Sequence, residues 1–99
     1  MNTTGELVDE IRKNPRNFIP QPRIMNLRSF INGWISGKEE NFSEKKLIDR
    51  FNKWLNKKFE IRPSQSWEKV IFYYSSGELD AFKQFFELFD EFNNRVSKK

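Results

Sequence analysis

Ninety-nine residues with 36% hydrophobic content leave room for one domain and a single core. The chain has no cysteine, which excludes a disulfide framework and thiolate chemistry. It also has no histidine, the commonest general base and metal ligand, so catalysis would need serine with lysine or paired carboxylates.

A formal net charge of +4 and a pI near 9.5 permit nucleic-acid binding without requiring it. The charge is uneven. Six basic residues and no acid lie between Arg12 and Lys38, whereas Gly77 to Phe92 carries five acids against Lys83 alone. Eleven Phe and three Trp are expected mainly inside, because few other side chains are available to fill a core. The start, MNTTGELVDEIRKN, has early acids and no apolar run, unlike a signal peptide, and no stretch approaches a membrane span. A cytoplasmic protein with no membrane contact is the expectation.

Thr3-Thr4-Gly5-Glu6 is a capping-box pattern, and a short helix should follow with Leu7, Val8 and Ile11 facing in. It should stop before Pro15, since the residue preceding proline avoids the helical region. Asn14 to Gln21 reads as a loop held by Pro15 and Pro20, with Phe18 and Ile19 tucked beneath it. Pro22 suits the first turn of a second helix. There Ile24, Leu27, Phe30, Ile31, Trp34 and Ile35 recur at three- and four-residue steps. Gly37 is placed to end it in the left-handed conformation, and Gly33 inside it marks a close crossing or a weak spot.

Lys38 to Phe42 reads as a polar link, and Ser43 as the cap of a third helix that Pro63 stops. Leu47, Ile48, Phe51, Trp54, Leu55 and Phe59 form its core stripe. Ser64 to Ser66 opens a short helix with Trp67, Val70, Ile71 and Tyr74 on one face. A strand over Lys69 to Tyr74 is the alternative, given the β-branched and aromatic content. A lone strand has no partner elsewhere in the chain, which favours helix.

Ser75-Ser76-Gly77-Glu78 repeats the capping-box pattern and launches the last helix. Leu79, Ala81, Phe82, Phe85, Phe86, Leu88, Phe89 and Phe92 fall within roughly half of its circumference. At about 1.5–3 kcal/mol per fully buried Phe, this helix can supply much of the driving force. The prediction is one all-α domain over residues 1–99, about five helices packed around the Phe-rich C-terminal helix, with 92–99 as a frayed tail.

Asp80, Glu87, Asp90 and Glu91 share the polar face of that helix and are the first candidate binding residues. Nothing in the pattern demands a metal, a cofactor or a catalytic group. The third helix is rich in lysine, but Phe51, Trp54 and Phe59 lie on its core stripe rather than among the lysines. A nucleic-acid stacking platform needs exposed aromatics beside basic groups.

Four pieces taken together, EIRKNP, LRSFINGW, FNKWLNKKFE and SWEKVIFYYSSGELDAFKQFFELFDEF, resemble a family of small bacterial proteins. Its pattern opens "I-(K/R)-x-R-P-x-M-Y-L-G", continues "L-x-x-F-(I/L)-x-G-(Y/W)", and ends "(E/D)-A-F-x-x-F-F-x-L-(F/L)-x-x-F". Members of this kind resemble immunity proteins of polymorphic and contact-dependent growth inhibition toxin systems. The match spans most of the chain and is most specific from Trp67 to Phe92. The opening departs from it: Asn14 to Pro20 keeps the proline but lacks the glycine.

The resemblance implies a non-enzymatic protein that binds its cognate toxin, often a nuclease, and blocks its active site. Asp80, Glu87, Asp90 and Glu91 would then stand in for nucleic-acid phosphates in a basic cleft. Arg16, Arg23 and Arg28 form a second candidate surface that would suit an acidic toxin. A free monomer is expected. The alternative is a small basic nucleic-acid-binding or regulatory domain.

Overall fold

Thr3 caps the first helix: its hydroxyl accepts the Glu6 amide at 3.1 Å, and the Glu6 carboxylate accepts the Thr3 amide at 3.1 Å. In the computed structural model, which describes residues 3–97 and side chains as far as Asn94, this launches α1 (Thr4–Lys13). A short 3₁₀ turn (Pro15–Asn17) and four further helices follow: α2 (Ile24–Ser36), α3 (Phe42–Lys58), α4 (Trp67–Tyr73) and α5 (Glu78–Ser97). The chain is one all-α domain, and no strand occurs among the described residues. Lys69 to Tyr73 is helical, as preferred above.

The principal-axis extents are 33 × 31 × 24 Å. α5 packs against α2, α3 and α4, and α4 packs against α2 and α3 as well. Ala81, Phe82, Phe85, Phe86, Leu88, Phe89 and Phe92 are all buried. Leu79 is not: it is 52% exposed. It shares the helix azimuth of Phe86, at the margin of the stripe. Phe86 has the Arg12 guanidinium over its ring, whereas Leu79, in the first turn, lies uncovered.

The centre of the aromatic cluster is Phe51, contributed by α3. Its ring lies within 5.2–6.3 Å of Trp54, Trp67, Phe85, Phe89 and Phe92, mostly edge to face. Such tilted and T-shaped arrangements are the favoured geometry for aromatic pairs. Phe92 is 2% exposed and packs on Trp54 as well, so it belongs to the core rather than to a frayed tail. α5 runs on to Ser97, and Lys98 and Lys99 lie outside the described residues.

Several helix ends differ from expectation. Arg23, not Pro22, stands at the start of α2, because the Arg23 amide donates back to Gln21 and holds Pro22 in a tight turn. α3 starts one residue before Ser43, at Phe42, with Asn41 as its cap residue; the Asn41 amide donates instead to the Ile35 carbonyl at the end of α2. Gly37 is right-handed (φ −79°), so α2 closes without a left-handed residue. α3 ends at Lys58, well before Pro63, through Glu60 at φ +54°. The Glu60 amide donates to Lys57 and the Ile61 amide to Asn56, the paired bonds of a Schellman closure.

The second capping box also shifts register. Asp80, not Glu78, reaches back, accepting the Ser76 amide at 2.8 Å. Glu78 turns outward from its own helix and accepts the Ile24 amide at the start of α2, at 3.2 Å. No described helix is long and apolar enough to cross a membrane.

Candidate functional site

Asp80, Glu87 and Glu91 share one line along α5 opposite the Phe stripe because they are spaced at helical intervals, and Asp90 lies to the side of that line, toward α1. Their surroundings differ. Asp90 pairs with Arg12 of α1. Glu91 accepts from Lys58 Nζ at the end of α3, at 2.9 Å. Asp80 is used by the Ser76 amide. Glu87 is exposed and forms no ion pair among the described residues; it borders a shallow depression with Arg12, Lys83, Phe82 and Phe86. The ridge is therefore flanked by cations on two sides, and its field is weaker than four carboxylates in sequence imply. No group of three acids among the described residues is arranged to hold a metal ion.

The second sequence candidate draws on the 3₁₀ turn and on α2, and all three of its arginines are exposed. Arg16 lies in the 3₁₀ turn and Arg23 at the start of α2, both exposed. Arg28, within α2, also reaches α4, with its Nε 3.5 Å from Oε2 of Glu68, a side chain only 3% exposed.

A third surface was not singled out in the sequence. Asn56, buried within α3, makes three bonds, two of which hold the segment after the helix. Its Nδ2 donates to the carbonyls of Asn52 (2.8 Å) and Gln65 (2.9 Å), and its Oδ1 accepts the Gln65 amide (2.9 Å). Asn52 donates to the same Gln65 carbonyl at 3.1 Å. With the Schellman closure, this fixes Glu60–Arg62 as a raised saddle between two open depressions, about 630 and 430 Å³ in volume. Lys53 and Lys57 line the first; Lys69, Tyr73 and Tyr74 line the second; Arg62 belongs to both.

Tyr74 was expected on the inner face of α4. It is 50% exposed, stacked on Phe59 with ring centroids 4.6 Å apart. Tyr73 is 76% exposed and meets Tyr74 edge to face at 5.0 Å. The signal for this surface was the run Phe72-Tyr73-Tyr74, which continues past the positions a single inward face can absorb.

The fold and these surfaces define a small helical domain with an aromatic core and two charged outer faces of opposite sign. Comparison with protein-family models, curated proteins and solved structures finds no match to this chain.

Proposed function

We propose that this chain is a cytoplasmic immunity protein that binds a cognate bacterial toxin and covers its active site without doing chemistry. One observation carries the reading. The segment with the most specific resemblance, Trp67 to Phe92, builds α4 and α5, with Trp67, Phe82, Phe85, Phe86, Phe89 and Phe92 buried and Asp80, Glu87, Asp90 and Glu91 on the polar side of α5. A nuclease toxin with a basic cleft is the partner such a face complements, and opposite potentials would speed the encounter.

The pairs Arg12–Asp90 and Lys58–Glu91 do not prevent this. Both are partly exposed, and surface ion pairs of that kind are worth about 0–1 kcal/mol, so a toxin's cations can replace Arg12 and Lys58 at small cost. Glu87, which has no such pair among the described residues, is the centre of the proposed contact.

The test is co-expression with the toxin encoded by the adjacent gene, followed by calorimetry on the purified pair. Wild type should protect the cells and bind. Glu87→Lys should weaken binding by about ten-fold or more, as a like charge facing a basic cleft costs several kcal/mol. Unchanged affinity would remove this face from the interface. A wild-type chain that neither binds nor protects would remove the function.

A further inference from the structure

We propose that the saddle at Glu60–Arg62 is a binding site for single-stranded nucleic acid, with phosphates on Lys57, Arg62 and Lys69 and a base stacked on Tyr73. The site is independent of the toxin reading: it lies on other residues and is tested without a toxin.

Sequence-tolerant single-strand sites combine a cationic track for the backbone with aromatic rings on which bases stack. The core-stripe aromatics of α3 cannot serve, since Phe51 is wholly buried and Trp54 packs on Phe51 and Phe92; Phe42 is exposed, but it lies at the opposite end of α3 from the saddle and already carries Lys46 over its ring. Tyr73 can. More than three-quarters of it is exposed, and its ring is braced against Tyr74, which is itself stacked on Phe59. A braced ring with an open face loses little freedom when a base settles on it.

Cations stand on both sides of the saddle. Lys53 and Lys57 are one helical turn apart on α3, Arg62 sits on the crest, and Lys69 lies beside Tyr73 on α4. Lys53 is partly committed to Asp49 at 3.3 Å, which leaves Lys57, Arg62 and Lys69 for phosphates. Glu60 is the single acid lining either depression. The bonds from Asn56 and Asn52 to Gln65, with the Glu60 and Ile61 closure, fix the crest before any ligand arrives. An acidic peptide would satisfy the cations but has no use for the open tyrosine face, so nucleic acid is the better fit.

The experiment is fluorescence anisotropy with an end-labelled oligouridylate of about twelve nucleotides, a length within single-strand site sizes. Binding should weaken with salt, with a log–log slope of about −2 for three phosphate contacts on a single strand. Tyr73→Ala should lose about ten-fold in affinity. Lys57→Glu with Arg62→Glu should abolish binding, and Glu60→Gln should tighten it. Glu87→Gln, on the α5 ridge, should leave it unchanged. Circular dichroism on each variant separates loss of the site from loss of the fold.

Three results would each overturn the proposal: no salt-dependent binding by the wild-type chain; equal affinity for a duplex RNA of the same length; or equal competition by a polyglutamate peptide, which would assign the saddle to an acidic protein segment instead. Retained affinity in a folded Tyr73→Ala would also sink it.

Discussion

Oε1 of Glu44 accepts both the backbone amide and the hydroxyl of Thr4, each at 2.6 Å, across forty positions of sequence. Thr4 is the first residue of α1 and is wholly buried, so its amide is one of the orphan donors of a helix start. α3 thus supplies a cap for α1. Glu78 of α5 does the same for the first amide of α2. In both places a carboxylate also meets the positive end of a helix dipole.

Glu44→Ala strands two donors of a buried residue, and the expected cost is about 1–3 kcal/mol. For a chain of this size that lowers the melting temperature by about 4–8 °C per kcal/mol. Glu44→Gln keeps a neutral acceptor and should lose less. Urea midpoints for the two variants check this, and an alanine variant as stable as wild type would show that the contact contributes nothing.

Phe51 is the ring that α3 and α5 share, with five aromatic neighbours and no exposure. Its truncation to alanine should cost about 3–5 kcal/mol, the range for large core aromatics. Phe82, 6% exposed and paired with Phe86, should cost less when truncated in the same way. Chemical denaturation of both variants decides which ring is the hub. A larger loss for Phe82→Ala would move it from α3 to the start of α5.

Gly33 and Gly77 predict opposite outcomes for the same substitution. A Cβ at either position meets nothing within 4 Å, so neither is held by close packing. Gly33 lies exposed inside α2, where alanine should stabilise by about 1 kcal/mol. Gly77 has φ +109°, a conformation that a Cβ penalises, and alanine there should destabilise by about 1–3 kcal/mol. Thermal melts of the two variants should move in opposite directions. Two shifts of the same sign would refute the backbone argument at one site.

What periodicity carries was legible: the helices, the Phe stripe, and the burial of Leu7, Val8, Ile11, Ile24, Leu27 and Ile31 follow from spacing alone. Where a side chain reaches another element, spacing is silent. Glu78 read as a local cap and serves α2, and Asn41 read as linker and serves the end of α2. Pro63 read as the stop for α3, but Asn56 and the left-handed Glu60 stop it earlier. The α5 acids were legible as one face, but not the flanking cations Arg12 and Lys58, which depend on how α1 and α3 dock. The saddle was hidden for the same reason: Arg62 and Tyr73 come to line one depression only once the Asn56–Gln65 bonds fold the segment back.

Glu68 and Arg28 give the sharpest energetic test. Glu68 is 2% exposed, yet among the described residues Oε1 has no hydrogen-bond partner and Oε2 pairs with Arg28 at 3.5 Å, the outer limit for such a bond. A carboxylate desolvated this far and this poorly matched should cost stability rather than add it. Glu68→Met, similar in volume and apolar, is therefore expected to stabilise, by about 1–2 kcal/mol. Arg28→Met removes the compensating charge and should destabilise, by about 1–3 kcal/mol; the side chain's 45% exposure lets water screen part of the loss. The double variant should recover to the level of Glu68→Met, because once the carboxylate is gone the guanidinium has nothing left to neutralise. Urea denaturation of the four proteins completes the cycle. If Glu68→Met destabilises as much as Arg28→Met, the carboxylate is better satisfied than its geometry implies, and the α2–α4 contact depends on the pair.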